Sequence, residues 1–477
     1  MSLNNRFIGN VVKMMMSNML IILSGIISGF LVPKLLGVTG YGYYKIFNLY
    51  ITYIVFADIG ISNGLYLLYG GYELRMLPLK KLRRYFSILF WIQIFIMLCI
   101  ILISLLFLKG EYRFIFIMVA IYTVSNNIAN YFEKISIMTG EFNAVVSRNI
   151  LKSILTIAIV IVLWACVKGQ IPFSYYRLYT FLFVLLYTIL AIQYCFQYNN
   201  LILGQKIPLS KISQELIIII KSGLYLLLAD MVASLILTLD RQFVSVLFDV
   251  KTYSVYSFAY SMLRIVLLAV SAVASVIYPS LKRMSADKMK KTYGFSIAIV
   301  GLISFGCLLS YYPLCIIVEY FLPDYLGSLE IFRILFPSIT VSSIISMVMI
   351  NHFKALQKQN IYFSYSMLVL IVSFVLNELA YLLVKQPSGL SIASIITMVF
   401  WYIISDRYLS KKYFCNTLKY DIYLVLNIVI FYLISGIFKN HFAGLLINSL
   451  LFFVVSILFY KEEQKLLFDK FLNEKGD

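Results

Sequence analysis

Histidine is almost missing from this chain. Only His352 and His441 occur, and that scarcity argues against imidazole-based metal centres and general-base chemistry. No Gly-x-x-x-x-Gly-Lys-Ser/Thr loop and no Gly-x-Gly-x-x-Gly run is present, so no familiar phosphate cradle for ATP hydrolysis or dinucleotide binding can be drawn. The six cysteines (Cys99, Cys166, Cys195, Cys307, Cys315 and Cys415) lack Cys-x-x-Cys spacing, and all but one lie in apolar runs. They read as small core residues and say little about redox compartment. Charge is scarce as well, at 13% of 477 residues against 62% hydrophobic. A soluble domain needs roughly a quarter of its residues charged to face water, so a soluble fold is excluded. Neither a catalytic residue nor a cofactor or metal site is expected.

What the chain has is hydrophobic length. Its mean hydropathy is +0.91, and apolar runs recur from end to end between short basic loops. The predicted spans are 12–33, 43–68, 85–108, 114–136, 147–167, 173–197, 214–238, 253–280, 293–321, 331–353, 362–384, 388–408, 420–438 and 440–460. Each can satisfy its own backbone inside hydrocarbon as a helix. The fold class is therefore an all-α polytopic membrane protein of about fourteen transmembrane helices. The first run, Met14 to Val32, is too long for a signal-peptide core and lacks a small-residue cleavage site, so it is expected to stay as the first span.

Basic residues outnumber acidic ones, 40 to 21. With the first segment inside and strict alternation, the inner segments hold more than twice the Lys and Arg of the outer ones. The positive-inside bias then makes both termini cytoplasmic. It also explains the net charge of +19 as attraction to anionic membrane lipid and not to nucleic acid. Three basic pieces look amphipathic and suit interfacial anchoring: Leu74 to Arg84, the linker Leu201 to Leu216, and the tail from Lys461. Tyrosine and phenylalanine are abundant, and Tyr41, Tyr43, Tyr44, Tyr311, Tyr312 and Tyr325 fall where interfacial aromatic belts are expected. Ser125, Asn126, Asn127 and Asn130 can bond between helices or line a cavity, and neither reading is favoured.

Charges inside the spans are the informative exceptions, because each costs several kcal/mol unless it pairs or meets water. Asp230 interrupts one apolar run and Arg264 the next, with Asp240, Arg241, Asp249 and Lys251 in the turn between them. At about 1.5 Å per residue, Asp230 and Arg264 each lie roughly 12–18 Å below that turn. Similar depth on sequential helices suggests a polar central cavity, and the plainer alternative is a structural Asp230–Arg264 ion pair. Asp58, deep in the second span, has three open readings: a packing group, a cation site or part of a gate.

An internal repeat organises the rest. The segment from Leu35 aligns without gaps on the segment from Leu247, with Leu35/Leu247, Val38/Val250, Tyr41/Tyr253 and Tyr44/Tyr256 identical. The copies are six predicted helices apart, so they share one membrane orientation. Parallel repeats of this kind build transporters whose halves move about a central site.

At this point a resemblance becomes visible. Pro33-Lys-Leu-Leu-Gly37, Gly40-Tyr-Gly42-Tyr-Tyr and Asp58-Ile-Gly60-Ile-Ser-Asn63-Gly64 look like the opening of Wzx-type polysaccharide flippases. Leu239-Asp240-Arg241 with Tyr253-Ser-Val-Tyr256-Ser-Phe-Ala-Tyr260 and Pro279 resembles their middle, and Phe321 to Leu335 with Phe353 to Lys358 their later segments. Asp249 and Ser254 depart from the glycines usual in that family's second repeat. The family sits in the multidrug/oligosaccharidyl-lipid/polysaccharide exporter superfamily. The resemblance implies two pseudo-symmetric six-helix lobes in a V plus two C-terminal helices: 1–205, 206–412 and 413–477.

The implied activity is movement of an undecaprenyl-pyrophosphate-linked oligosaccharide (an O-antigen, capsule or exopolysaccharide unit) across the bacterial cytoplasmic membrane. Basic groups facing water would ease the crossing of a pyrophosphate. Arg264 is the first candidate, since guanidinium holds phosphate oxygens bidentately. Asp230, Asp58, Asp240, Arg241, Lys13 and Lys34 complete the candidate substrate-binding set, the two lysines being equally suited to snorkelling anchors. Anionic lipid is an expected partner, and a polysaccharide polymerase or glycosyltransferases of the same pathway remain open as partners. Two alternatives stand: a multidrug or small-solute cation antiporter of the same superfamily, whose cavity would be mainly acidic, and a membrane oligosaccharide polymerase. The short outer loops weigh against the polymerase.

Overall fold

A helix that breaks inside an apolar run leaves carbonyl and N–H groups that lipid cannot satisfy, and this fold contains such a break near its start. The structure is a computed structural model that describes residues 3–274, 286–356 and 358–473. Pro279, Lys282 and Arg283 lie outside those residues, as do the end of the span expected at 253–280 and the side chains of the tail beyond 461.

The described residues form an all-helical fold with no strand. Twelve segments are long and apolar enough to cross a membrane. One of these, Lys13–Asp58, contains the first expected span and most of the second, and the eighth expected span corresponds to the helix Val250–Ala274. The chain is a multi-pass membrane protein with the helix order read from its hydrophobic runs.

Two units divide it by packing: residues 1–234 with 249–254, and residues 235–248 with 255–477. In the first unit, α1 (Leu3–Ile51) is interrupted at Gly37, whose φ of 66° suits a residue without Cβ. A short 3-10 turn over Ile54–Asp58 follows, then Ile59 and Gly60 in left-handed conformations, and α2 (Ile61–Tyr69) begins. The second expected span is thus discontinuous. Four long helices complete this half: α3 (Leu79–Phe107), α4 (Gly110–Met138), α5 (Phe142–Lys168) and α6 (Tyr175–Gln197). The fifth, α7 (Ser213–Leu247), contributes its residues up to Ser234.

Aromatic packing fills the unit. Tyr44 meets Tyr179 edge-on at 4.7 Å, Tyr43 lies 5.1 Å from Tyr176, and Phe132 stacks on Tyr198 at 5.5 Å. Tyr41 and Tyr44 are buried, as are Tyr311, Tyr312 and Tyr325 in the second unit. The belt expected of them is therefore a set of core contacts, because each ring finds aromatic neighbours within its own unit. The amphipathic pieces differ from expectation in the same way. Leu77, Leu82, Leu201 and Ile212 are buried in one core cluster instead of facing lipid. Their basic neighbours hold backbone: Arg83 Nε donates to Asn200 O (2.8 Å) and Arg84 Nε to Ile207 O (2.7 Å). Those bonds fasten the linker before α7 to the start of α3.

In the second unit, α8 (Val250–Ala274) contributes from Val255 onward, and the apolar segments 292–321, 328–355, 360–384 and 387–413 follow. The helices Leu418–Ile437 and His441–Asn473 pack in this unit too. A Cβ on Gly444 would meet the Tyr312 ring at 2.5 Å, and one on Gly294 the Tyr420 ring at 2.5 Å.

The tightest helix approach is in the first unit, where Gly60 and Gly64 of the broken span face Gly223 of α7. A Cβ on Gly223 would come within 2.5 Å of Gly64 N and closer still to Gly60 O. This small-xxx-small spacing lets two backbones touch. Gly223→Ala is expected to cost about 1–3 kcal/mol as overpacking. Gly25→Ala, with no atom within 4 Å of the added methyl, should stay within about 0.5 kcal/mol of wild type. Thermal unfolding of the two purified variants checks both, and equal melting temperatures would contradict the close approach.

Candidate functional site

The break in the second span is supported by named groups. Gln93 on α3 donates to Ala57 O (2.8 Å), and Asn127 on α4 donates to Ile54 O (3.1 Å) and to Gln93 Oε1 (2.8 Å). Both side chains are fully buried. They take up carbonyls that the missing helical turn leaves without a partner. Asp58, 1% exposed, accepts from Ser62 N (3.0 Å) and Ser62 Oγ (2.7 Å). Its carboxylate thus lies at the positive N-terminal end of α2, where a negative charge is favoured.

Beside that break lies a polar cavity of about 160 Å³. Asp58 and Asn63 line it from the broken span, Asn130 and Lys134 from α4, and Asp230 and Ser234 from α7. Of the sequence candidates, Asp58 and Asp230 are brought together here. Asn63, Asn130 and Lys134 were not singled out as site residues; the polar run from Ser125 to Asn130 was the available signal. Its members divide. Ser125 bonds Thr188 of α6 (2.9 Å), Asn127 serves the break, and Asn130 faces the cavity. Lys134 Nζ lies 5.5 Å from the Tyr66 ring centroid.

Further along α4, Glu133 forms an ion pair with Arg148 of α5, and the Arg148 guanidinium sits 5.7 Å from the Tyr194 ring. Arg148 is buried. Spacing along the chain does not reveal this pair, because the two side chains are joined only when α4 and α5 pack. Near the starts of α3 and α7, Glu215 receives Lys81 Nζ (2.5 Å) and Tyr69 Oη (2.9 Å).

Asp240 and Arg241 belong to the second unit. Asp240, 2% exposed, accepts from Arg241 N (2.7 Å), from Tyr256 Oη (2.7 Å) and from Tyr260 Oη. Arg241 donates to Leu237 O (2.9 Å) and lies 4.6 Å from the Tyr260 ring. One turn of α8 thus presents two phenols to one carboxylate, closing the α7–α8 corner. At that corner Asp249 Oδ1 accepts from Thr252 N (3.2 Å), which caps α8. Hydrogen bonding to Thr252 holds the Asp249 carboxyl below the usual carboxylate range. The two repeat copies also touch here, since a Cβ on Gly42 would meet Val250 O at 2.5 Å.

Arg264 is exposed on α8, and no hydrogen bond or ion pair to it occurs among the described residues. It belongs to the second unit and is not part of the cavity lining. Lys13 and Lys34 are exposed near the ends of the first span.

Neither family models nor curated proteins match the chain. Solved structures do. The lipid II flippase MurJ in an inward closed conformation superposes with a TM-score of 0.72 at 14% identity, covering 95% of this chain and 99% of that one. An inward-facing multidrug resistance MATE family transporter of the MOP superfamily gives 0.58 at 13% identity, covering 84% and 94%. A mutant of the Vibrio cholerae MATE transporter VcmN gives 0.57 at 13%, covering 86% and 96%. The fold is that of the transporters and flippases of the multidrug/oligosaccharidyl-lipid/polysaccharide exporter superfamily.

The Asp240 cluster generates a stability prediction. Tyr256→Phe removes one of its donors and leaves a buried carboxylate under-satisfied, which should cost about 1–3 kcal/mol. Tyr225→Phe, on an exposed ring, should be neutral. Thermal unfolding of the two variants separates them, and a neutral Tyr256→Phe would show that the carboxylate does not need that hydroxyl.

Proposed function

We propose that this protein is a flippase that carries a lipid-linked, pyrophosphate-bearing oligosaccharide across the bacterial cytoplasmic membrane by alternating access, without covalent chemistry. The observation that carries the reading is Arg264. It is an exposed guanidinium on an apolar helix with no partner among the described residues. An uncompensated cation facing hydrocarbon costs several kcal/mol, so such a group marks a solvated path. A planar donor fork suits phosphate oxygens better than a point charge does. The likeness to a lipid II flippase supports the reading at the level of fold.

In this proposal Arg264 receives the pyrophosphate. Asp240 and Arg241, engaged with Tyr256, Tyr260 and Leu237, act by holding the α7–α8 corner. Lys13 and Lys34 draw the anionic head group or anionic lipid to the ends of the first span, both termini being cytoplasmic. The cargo is a repeat unit of O-antigen, capsule or exopolysaccharide, and partners come from the enzymes that make or polymerise it.

A second reading, a cation or drug antiporter, draws on the carboxylates Asp58 and Asp230 at the polar cavity and on the MATE folds among the matches. Sealed vesicles containing the purified protein distinguish the two. A lipid-pyrophosphate-linked oligosaccharide is placed in one leaflet and its arrival in the other is read with an impermeant sugar-modifying reagent. Protein-dependent movement is expected, falling at least about tenfold in Arg264→Ala, the scale of one lost charged contact. Partial activity is expected in Arg264→Lys, which keeps charge but loses the fork. Movement indifferent to Arg264→Ala removes the site, and export of cationic dyes with no lipid movement replaces the function.

A further inference from the structure

The helix Pro387–Tyr413 of the second unit stops on a residue that local sterics disfavour. Phe414 has φ 51° and ψ 43°, the left-handed conformation in which a Cβ crowds the following carbonyl. Its N–H reaches Lys411 O at 3.4 Å, and Cys415 N–H reaches Ser410 O at 3.1 Å. Such a pair of bonds closes many helix C-termini, and glycine is the usual residue there because it has no Cβ to strain. A bulky ring in this conformation is an outlier. Burial does not offset the cost, since Phe414 is 86% exposed. Strain kept without burial points to a role outside the packed core.

The place of the ring in the chain sets its surroundings. Four residues, 414–417, join the membrane-long segments 387–413 and 418–437, so this turn lies at a membrane surface. The Lys290 ammonium sits 5.1 Å from the Phe414 ring centroid and belongs to a different helix, Ala286–Leu308. Lys411 and Lys412, in the last turn of Pro387–Tyr413, are exposed and form no ion pair among the described residues. Lys419 is exposed on the next helix, 5.6 Å from the Tyr460 ring. Carboxylates of these two helices are engaged elsewhere: Asp406 accepts from Tyr293 and Thr417, and Asp421 from Tyr402. Leu418, 59% exposed, adds a second apolar side chain beside the ring. Lysines in a last turn suit the helix dipole, but the dipole explains neither Lys290 nor the strained phenyl ring.

We propose that the turn at 414–417, with Lys290, Lys411 and Lys412, seats an anionic phospholipid. The ammonium groups hold its headgroup phosphate, and Phe414 and Leu418 lie against the upper part of its acyl chains. Aromatic rings favour the boundary between headgroups and hydrocarbon. Lysines at that depth add an attraction to anionic lipid that a zwitterionic one lacks. The net charge predicts only diffuse attraction to the membrane; this is a discrete seat on one turn. It stands whichever cargo the protein carries, so its test reads lipid binding and not transport.

Purified full-length protein in a neutral detergent is unfolded thermally while phosphatidylglycerol, or phosphatidylethanolamine with the same acyl chains, is added. Phosphatidylglycerol is expected to raise the melting temperature saturably, and phosphatidylethanolamine to do so far less. The double variant Lys411→Gln/Lys412→Gln should raise the half-saturating phosphatidylglycerol concentration by about tenfold or more, since each lysine near an anionic surface contributes separately. Phe414→Gly relieves the backbone strain, so without lipid it should melt no lower than wild type, yet it should also raise the half-saturation. A ring that merely held the fold would give the reverse pattern. Lys385→Gln, at the exposed left-handed residue before the other end of the same helix, should leave the response unchanged. Two lipids acting alike, or site variants that keep the wild-type half-saturation, would overturn the proposal. A stabilisation reproduced by inorganic phosphate alone would overturn it too, by making the occupant a free anion.

Discussion

Everything around the polar cavity depends on one constraint: a peptide group inside a membrane must find its hydrogen bond within the protein. The second span violates helical continuity at Ile59 and Gly60, and the fold answers with Gln93 and Asn127. These two side chains reach from α3 and α4 to Ala57 and Ile54 carbonyls and to each other. The same break turns Asp58 toward the N-terminus of α2 and lets α7 approach through Gly223. Remove the satisfied break, and neither the carboxylate position nor the close glycine contact would follow.

Charge follows a related economy. In a chain this apolar, most charges within the spans are neutralised where they sit. Glu133 pairs with Arg148, Glu215 with Lys81, and Asp240 accepts from two phenols. Asp406 likewise accepts from Tyr293 (2.8 Å) and Thr417 (2.6 Å) in the second unit. Against that background, the exposed Arg264 stands apart. The paired groups hold helices together.

Much of the architecture was legible from hydrophobic length alone, because a membrane helix must be apolar for a fixed distance and the loops between need not be. The spans predicted at 85–108 and 114–136 correspond to Leu79–Phe107 and Gly110–Met138. Surface chemistry was less legible. Tyr44 and Tyr311 lie where an aromatic belt would sit, yet they pack inward, since depth along a helix does not say which face meets lipid. Leu201 and Arg84 suited interfacial anchoring by pattern, yet one enters a core cluster and the other bonds a linker carbonyl.

The sequence by itself determined the helix count, the membrane setting and the identity of the in-span charges, because each follows from composition along one dimension. It also marked Asp58 and Asp230 as costly residues in need of a reason. Only the tertiary structure decided which of them share a space. Asp58 and Asp230 are far apart in the chain and meet only because Gly60, Gly64 and Gly223 let two backbones touch. Asn63 and Lys134, ordinary in sequence, gain meaning at the same moment. Proximity between helices is set by packing, and no periodicity along the chain records it.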